Sequence, residues 1–307
     1  MQIMSIVVPC FNEEESIELF YNAITKVIEQ TNNLELEIIF IDDGSKDCTY
    51  DRLVELGERD NRVKYISFSR NFGKEAAIFS GLRSAKGDCT VVIDVDLQHP
   101  PEKILEMYEL WKSGYEVIEG VKSSRGKETI GHRMMASIFY GMISRIIGID
   151  MRNSSDFKLL DKKVVRELAA LRERDTFFRA LSYWVGFNST TVSYEVQERV
   201  AGRTKWSFFS LLGYAIKNLI AFSYAPLHLI SFVGGIIFMI GIGFGLDAFI
   251  SYLMGHAMGG YPTLVFLITL TSGGILLSLG ILGTYIAKIY DQIKERPQYI
   301  IKNKKEV

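Results

Sequence analysis

The stretch from Thr90 to Pro101 reads TVVIDVDLQHPP and predicts a buried strand that ends in polar side chains. The apolar run before Asp94 is typical of a core strand, and the double proline marks where the regular structure stops. Because residues two apart in an extended chain face the same way, Asp94, Asp96 and Gln98 are expected to converge. In an open α/β sheet, ligands bind at this end of a strand. The alternative is a solvated loop that carries two acids.

Oxygen-bearing side chains in this arrangement favour a hard divalent cation. Mg²⁺ and Mn²⁺ are usually held by one or two carboxylates together with the phosphate groups of a substrate. A cation at this strand end would neutralise a leaving diphosphate. Unless the loop is merely solvated, the stretch therefore predicts a site for Mg²⁺ or Mn²⁺.

Strands and helices alternate along the first 120 residues of the chain. Apolar strand-like runs lie at 3–9, 36–41, 63–68, 90–93 and 115–120, with helical runs at 17–28, 49–56, 75–84 and 102–112. Strands that alternate with helices of this length predict an α/β fold with a parallel sheet and helices on both faces. This is a Rossmann-like, nucleotide-binding architecture.

Charged residues are unevenly distributed along the 307 residues. Asp, Glu, Lys and Arg are absent from residues 218–246 and 248–287, which Asp247 alone separates. Two transmembrane helices are predicted in this region, one at 229–253, which includes Asp247, and one at 263–287. Each is longer than the roughly 20 residues that a helix needs to cross a bilayer.

Basic residues flank the pair of spans on its outer sides. Arg203, Lys205 and Lys217 precede the first span and six Lys or Arg residues follow the second, whereas the loop at 254–262 has none. By the positive-inside rule, both ends of the chain are expected in the cytoplasm and the loop outside. Glycine within the spans predicts close helix contacts and a homo-oligomer.

Two stretches before the spans have helical apolar periodicity. Residues 206–223 carry a polar stripe and lead into the first span, which predicts an amphipathic helix at the membrane surface. Residues 129–147 fit either a helix packed on the sheet or a second helix on the membrane surface. The predicted organisation is a cytoplasmic domain at 1–205, a juxtamembrane helix at 206–224, two transmembrane helices at 225–288 and a cytoplasmic tail at 289–307.

The composition argues against two other classes of protein. A net charge of −1 is not that of a protein with nucleic acid as its bulk partner. The three cysteines have no spacing to histidine that is typical of a zinc site.

Acidic loops lie at the carboxyl ends of three predicted strands, NE at 12–13, DDGS at 42–45 and DVD at 94–96. Together they resemble the family 2 glycosyltransferases with a GT-A fold. More narrowly, the chain resembles the polyprenyl-phosphate glycosyltransferases, which include dolichol-phosphate mannose synthases and bacterial bactoprenyl glucosyltransferases. The resemblance covers essentially the whole chain, including the two-span tail. Its motifs are VPxxNE at 8–13, DDGS at 42–45, SRNFGK at 69–74, DVDLQHPPE at 94–102 and SDF at 155–157.

The resemblance implies a site for a nucleotide-sugar donor. The donor-nucleotide residues would be Pro9, Asn12, Glu13, Asp42, Ser69, Arg70, Lys74 and Asp94. The first four would line the nucleoside pocket, and Asp94 would lie near the ribose and the metal. Asp96 and Gln98 would hold the metal at the donor diphosphate. The alternative for Arg70 and Lys74 is a solvated loop.

The resemblance also implies a catalytic-site carboxylate at Asp156. The alternative is a helix N-cap, for which Asp is a preferred residue. A lipid monophosphate, with a second pKa of roughly 6, is largely a dianion at neutral pH and already a nucleophile. Asp156 is therefore expected either to remove a proton or to orient the acceptor or the sugar hydroxyls.

Cations are needed to bind the acceptor phosphate at the membrane surface. The candidates border the two amphipathic stretches, where together they would form a phosphate cradle. They are Lys122, Arg125, Arg133, Arg199, Arg203 and Lys205. The alternative for each of them is ordinary surface charge.

These expectations combine into one predicted activity. The chain is expected to be a metal-dependent, inverting hexosyltransferase of the inner membrane, with a nucleotide-diphosphate sugar as donor and undecaprenyl phosphate as acceptor. UDP-glucose is the favoured donor, and GDP-mannose and UDP-N-acetylglucosamine are the alternatives. A processive polysaccharide synthase and a non-catalytic membrane adaptor are the competing interpretations.

Overall fold

A computed structural model of the chain describes residues 2–31, 34–123, 155–173, 176–195, 225–255 and 260–305. The chain forms two compact units. The first comprises residues 1–208 and 297–307, and the second comprises residues 209–296.

The first unit contains an eight-stranded mixed sheet within its described residues. Its strands are β1 Gln2–Cys10, β2 Leu34–Asp42, β3 Val63–Phe68, β4 Cys89–Val92, β5 Val117–Lys122, β6 Lys158–Asp161, β7 Ser189–Tyr194 and β8 Ile301–Lys305. Their spatial order is β7-β5-β6-β4-β1-β2-β3-β8. The helices of this unit are α1 Ile17–Ile28, α2 Thr49–Arg59, α3 Lys74–Ser84, α4 Lys103–Lys112, α5 Lys162–Ala170 and α6 Phe178–Trp184.

The centre of the core is formed by β1 and β2. Both strands are nearly continuous apolar runs, and every residue from Met4 to Cys10 is buried. Such runs are typical of parallel strands whose two faces are both covered by helices. Helix α1 shows how the cover is made, because Ile17, Phe20 and Ile24 recur at helical spacing and are buried.

The position of β1 creates the crevice in which a ligand would bind. β2 pairs in parallel with one edge of β1, and β4 pairs in parallel with the other edge. The chain therefore leaves β1 towards one side of the sheet and later returns on the other side. At such a switch point the loops diverge and leave an opening beyond the carboxyl ends of the strands.

The five predicted strands run in the same direction, as expected, but two strands that were not predicted make the sheet mixed. β6 lies antiparallel between β4 and β5, and β8 lies antiparallel along the outer edge of β3. Their sequences, KLLD and IKNKK, have no sustained apolar run or alternation. They form because already ordered neighbours offer backbone partners, a tertiary effect that local propensity does not show.

The strand β8 lies within the segment predicted as a tail at 289–307. Just before this strand, the carbonyl of Ile300 accepts the N–H of Ser69 at 2.9 Å. Three of the five residues of β8 are lysines, which are typical of edge strands that avoid pairing with other chains. The end of the chain thus completes the sheet next to a predicted donor loop.

The described part of the second unit consists of two long helices, α7 Ala225–Leu253 and α8 Tyr261–Ile293. By length and composition, one segment among the described residues is able to cross a membrane, Leu270–Ile293 of α8. Helix α7 contains a shorter apolar segment, Ile230–Phe244. The two-span hairpin stays a prediction. The amphipathic helices predicted at 129–147 and 206–223 lie outside the described residues.

Candidate active site

Two neighbouring loops at the carboxyl ends of β1 and β2 carry the first predicted donor residues. The N–H of Asn12 donates to the hydroxyl of Ser45 at 2.9 Å, and the Asn12 side-chain oxygen accepts the N–H of Lys46 at 2.9 Å. The N–H of Glu13 donates to the Thr49 hydroxyl at 2.8 Å. Asn12 has a φ of 54°, a conformation that Asn tolerates better than most residues. These bonds join the two loops into one wall of the crevice.

Asp42 ends β2 and is buried. One of its carboxylate oxygens accepts the N–H of Ser45 at 2.9 Å, and the other accepts the hydroxyl of Ser67 at 2.7 Å. Pro9 lies one residue before the end of β1, opposite Ile41 in the register. Two residues predicted to line the nucleoside pocket therefore lie at the ends of adjacent strands.

Asp43 anchors the loop that leads from β3 into α3. Its carboxylate accepts the N–H of Phe72 at 2.6 Å and that of Gly73 at 2.9 Å. Burial raises the pKa of Asp43 to about 6, although the two amide donors act in the opposite direction. Gly44 has a φ of 66°, and a Cβ there would lie 2.4 Å from the carbonyl carbon of Arg70. Glycine is therefore required for the two loops to approach so closely.

Ser69 and Arg70 are exposed on the same loop. The guanidinium of Arg70 lies over the ring of Phe72, 4.1 Å from its centroid. This contact orients the cation beside the crevice. The donor-site role of both residues stays a prediction.

Asp94 and Asp96 follow β4 and lie close to His99. One ligand atom from each of these three side chains lies within 4.8 Å of the others. Leu97, with a φ of 57°, turns the chain between them, and the N–H of Gln98 donates to Asp96 Oδ1 at 3.2 Å. The structure thus adds His99 to the two predicted acids. The role of the Gln98 side chain as a metal ligand stays a prediction.

His99 is buried against the rings of Phe157 and Tyr194, with centroid distances of 5.3 and 5.4 Å. Its Nδ1 atom has no hydrogen-bond partner among the described residues. Burial lowers the pKa of His99, although the charge of Asp94 acts in the opposite direction. The ring is therefore neutral at pH 7, which is the form that binds metals. Two carboxylates and one neutral imidazole fit a divalent cation such as Mg²⁺ or Mn²⁺.

Asp156 is buried between two cations that come from different helices. Lys74 begins α3, and its Nζ lies 2.7 Å from Asp156 Oδ2 and 2.6 Å from Asp94 Oδ1. Arg179 of α6 binds the same carboxylate with both arms, Nε to Oδ1 at 2.7 Å and Nη2 to Oδ2 at 3.0 Å. Lys74 thereby joins the predicted donor-side acid to the predicted catalytic acid.

The pKa of Asp156 is held well below its usual range. Burial acts to raise it, but the neighbouring charges of Arg179 and Lys74 outweigh this effect. The pKa of Lys74 is in turn raised above its usual range, because Asp156 and Asp94 outweigh its burial. Asp156 is therefore a carboxylate at neutral pH, with three of its about four lone-pair positions already used by donors. It is a fixed anion and a poor acceptor of protons.

The interpretation of Asp156 as a helix N-cap is wrong. The residues that follow it form β6, and the next helix, α5, begins at Lys162. The side chain that caps α5 is Asp161, which accepts the N–H of Lys163 at 2.8 Å. A polar residue followed by a short apolar run occurs before strands as well as before helices. The sequence pattern therefore could not distinguish a helix N-cap from the residue that precedes a strand.

Three residues of the site were not predicted. They are His99, Arg179 and Glu75, whose carboxylate accepts the N–H of Phe178 at 2.8 Å. Burial, and then the charge of Asp156, raises the pKa of Glu75 to about 7. The only signal in the sequence for Arg179 is one charge within the apolar run FFRALSYW at 177–184. His99 lies next to the predicted ligands and directly before the double proline, and nothing in its sequence position indicated a role in the site.

The structure describes one of the six cations predicted to bind the acceptor phosphate. Lys122 ends β5 opposite Tyr194 of β7 and is half-buried. The other five, Arg125, Arg133, Arg199, Arg203 and Lys205, lie outside the described residues. The phosphate cradle stays a prediction.

Comparison with known proteins gives a consistent result. Residues 5–168 match the family "Glycosyl transferase family 2". The chain is 43% identical over 301 residues to the uncharacterized glycosyltransferase YkcC of Bacillus subtilis, a match of 97% of this chain and 92% of that protein. It is 38% identical over 305 residues to the bactoprenol glucosyl transferase of Shigella phage SfV, a match of 99% of each chain.

Among solved structures, the chain is similar to mannosyl-3-phosphoglycerate synthase from Rubrobacter xylanophilus. The TM-score is 0.51 at 15% sequence identity, and the match covers 72% of this chain and 73% of that one. At this identity the likeness concerns the fold alone. The α/β, GT-A-like fold class predicted for the first unit is confirmed.

Proposed function

This chain belongs to glycosyltransferase family 2, and from that premise we propose that it transfers a hexose from a nucleotide-diphosphate sugar to a polyprenyl phosphate. The favoured donor is UDP-glucose and the favoured acceptor is undecaprenyl phosphate. The reaction proceeds with inversion at the cytoplasmic face of the membrane. The 38% identity to a bactoprenol glucosyl transferase over 99% of both chains supports this acceptor and this sugar.

One observation carries the proposal, the continuous contact from Asp94 through Lys74 to Asp156. Asp94, the acid expected near the donor ribose and the metal, and Asp156, the acid expected to act at the sugar, contact the same ammonium group. A surface loop without a ligand gains little from holding the buried Asp156 in contact with two further charges. A site for a phosphorylated sugar gives each charge a function.

The donor side of the site has the groups that a nucleotide sugar requires. Asp42 and the joined loops at Asn12 and Glu13 form a rigid, polar wall for the nucleoside. A Mg²⁺ or Mn²⁺ ion bound at Asp94 and Asp96, with His99 or Gln98 as a further ligand, would supply positive charge to the leaving diphosphate. Ser69 and Arg70 flank the same opening.

The acceptor phosphate needs no general base, because as a dianion it is already a nucleophile. One of its oxygens forms a bond to the anomeric carbon while the bond from that carbon to the donor diphosphate breaks. A single displacement of this kind inverts the configuration. Asp156, held as a carboxylate, orients the sugar hydroxyls or the acceptor and does not remove a proton.

Exposed apolar side chains on α8 support a location in the membrane. Leu276, Leu277 and Ile286 are 69, 70 and 64% exposed. An apolar surface that extends along a helix of this length is unfavourable in water. Lipid would cover it. We propose the predicted topology for this unit, with two spans and both ends of the chain in the cytoplasm.

The proposed reaction is tested with purified full-length protein, undecaprenyl phosphate, Mn²⁺ and one donor at a time. The donors are UDP-glucose, GDP-mannose and UDP-N-acetylglucosamine, and mass spectrometry identifies the lipid product. A single hexose on the lipid with UDP-glucose is the expected result, and Asp96→Ala is the inactive control. A polymer would instead identify a processive synthase. Neither transfer nor hydrolysis of any donor would identify a non-catalytic adaptor.

The proposed topology is tested by labelling single cysteines in intact cells, in a background without the exposed Cys48. A cysteine in the loop at 254–262 should react with an impermeant reagent, and one placed after Lys302 should not. The reverse pattern would place the first unit outside, away from cytosolic nucleotide sugars. That result would contradict the function as well as the topology.

A further inference from the structure

A fully buried ion pair lies directly behind Asp156 and has no part in the proposed reaction. Glu119 of β5 and Lys158 of β6 are opposite each other in the register, with Lys158 Nζ 3.2 Å from Glu119 Oε1. Their side chains are 2% and 0% exposed. An apolar pair of similar volume is often as stable as a buried ion pair or more so, so packing alone does not account for this one.

The pair is connected at both ends to the backbone that carries the site. On one side, Glu119 Oε1 accepts the N–H of Ser155, the residue before Asp156, at 3.0 Å. On the other side, Lys158 Nζ donates to the hydroxyl of Ser182 at 2.8 Å, and that hydroxyl donates to the carbonyl of Arg179 at 2.9 Å.

The chain of contacts is buried from Ser155 to Ser182, and its last link, to the carbonyl of Arg179, is partly buried. Ser155 and Ser182 are 2% and 1% exposed, and the Lys158 ammonium lies 4.2 Å from the ring centroid of Tyr183. Removing one contact of a buried polar network leaves its partner unpaired, so the contacts depend on one another. The two ends are the backbone next to the carboxylate and the backbone of its guanidinium partner.

We propose that Glu119, Lys158 and Ser182 are positioning residues that set the distance and orientation between Asp156 and Arg179. This inference rests on the proposed function, because it assigns to Asp156 a geometry that transfer requires. β6 and α6 are separate elements joined by no strand pairing. The buried ammonium is a second link between these elements, and it supports the direct pair of the Asp156 carboxylate and the Arg179 guanidinium.

The first test is Ser182→Ala in the full-length protein, since it removes the link to Arg179 and leaves the ion pair intact. We expect kcat to fall about 10-fold or more with the KM for the nucleotide sugar unchanged, because small misplacements at a reacting centre reduce rate more than binding. Hydrogen exchange should become faster at residues 155–157 and 178–184. The matched control is Ser80→Ala, which removes a buried hydroxyl that has no partner among the described residues.

The second variant is Glu119→Gln with Lys158→Met, which keeps an acceptor for Ser155 and leaves no unpaired charge. It should fold, with a Tm within about 3 °C of the wild type, and should lose at least as much kcat as Ser182→Ala. Wild-type kcat in either folded variant overturns the proposal. Failure of both variants to fold also overturns it, because the network would then determine the fold and not the site.

The exchange measurement separates this inference from the proposed function. If the wild type transfers no sugar to any lipid, the proposed function fails while the exchange at 155–157 and 178–184 still reports the coupling. If the wild type is active and exchange in Ser182→Ala is unchanged, the positioning role fails alone.

Discussion

The two halves of the sheet are built in different ways, and the site takes a different kind of residue from each. The half with β1 to β4 is made by consecutive strand–helix–strand connections, and its polar residues lie where each strand ends. The half with β5 to β7 includes an antiparallel strand, β6, and there the key carboxylate depends on cations from distant helices. The donor residues therefore follow strands that lie in sequence order along the chain. The contacts of Asp156, in contrast, form only when distant segments of the chain come together in the fold.

The largest expected effect is on the donor side, at Asp96. Asp96→Ala should lower transfer by at least about 10³-fold, because the leaving diphosphate loses its electrostatic partner. An excess of chelator should stop the wild type, and Mn²⁺ or Mg²⁺ should restore it. The measurement is initial rate together with Mn²⁺ binding to the protein without substrates. Exposed Asp51→Ala on α2 is the control, and full activity in chelator would contradict the metal role.

The next effect is on the other half, at Asp156. Asp156→Asn keeps the size of the side chain but removes the charge that pairs with Arg179 and Lys74, so turnover should fall about 10²-fold. Because Asp156 shares Lys74 with Asp94, the affinity for the nucleotide sugar reports whether the two halves act separately. We expect that affinity to stay near the wild type. Near-normal turnover would remove Asp156 from the reaction, and lost affinity would place it in the donor site.

A smaller effect is expected from loss of the third metal ligand. Measuring it decides between the ligand predicted from the sequence and the one that the structure indicates. The sequence indicated Gln98, whereas the structure brings His99 into the group with Asp94 and Asp96. Loss of a residue that only orients a ligand weakens metal binding by roughly 10- to 100-fold, so loss of the ligand itself should weaken Mn²⁺ binding by at least that factor. His99→Ala and Gln98→Ala are compared by titration of the protein with Mn²⁺ alone. The variant with the weaker binding identifies the ligand, and equal wild-type binding in both would leave the two acids as the whole site.

The segment at 297–305 tests the contrast between the two halves of the sheet, because it is distant in sequence from the donor half but packs against it. Tyr299 stacks on Phe68 with ring centroids 4.7 Å apart, and Phe68 contacts Phe72 of the donor loop edge-on. Tyr299→Ala should lower the stability of the first unit by about 1 to 2 kcal/mol and raise the KM for the nucleotide sugar without changing kcat. Thermal unfolding and steady-state kinetics measure both. The exposed neighbour Ile300→Ala is the control, and a fall in kcat alone would contradict this account.

The sequence predicted β1 to β5 and the helices α1 to α4, because apolar strands that alternate with amphipathic helices form a local pattern. It also predicted which acids lie at the strand ends, since parallel strands place their carboxyl ends at one edge. It could not predict β6 or β8, whose residues are ordered by pairing with distant strands. Nor could it predict Arg179, because its partner Asp156 is 23 positions away. A lysine at position 158 would ordinarily be assigned to the surface, yet its side chain is completely buried.

The last expected effect is on stability alone, without a change in the reaction, and concerns Glu75, where the two halves meet. Glu75 lies on α3 beside Lys74, and its carboxylate accepts the N–H of Phe178 at the start of α6. Burial, and then the charge of Asp156, raises its pKa to about 7 from an ordinary value of 4.5. Between these values the folded protein keeps a proton that the unfolded chain has released. The stability contributed by Glu75 is therefore present below about pH 4.5 and is lost as the pH rises through about 7.

Glu75→Gln has no proton to lose and still offers an oxygen to Phe178. Its stability relative to the wild type should therefore rise between pH 5 and pH 8, by roughly 1 to 3 kcal/mol. The measurement is Tm of both proteins across that range, with exposed Glu102→Gln as the matched control. A Tm difference that does not change with pH would show that Glu75 is ionised in the folded protein. The link between α3 and α6 would then be a charged contact, part of the same ionic group as Asp156, Lys74 and Arg179.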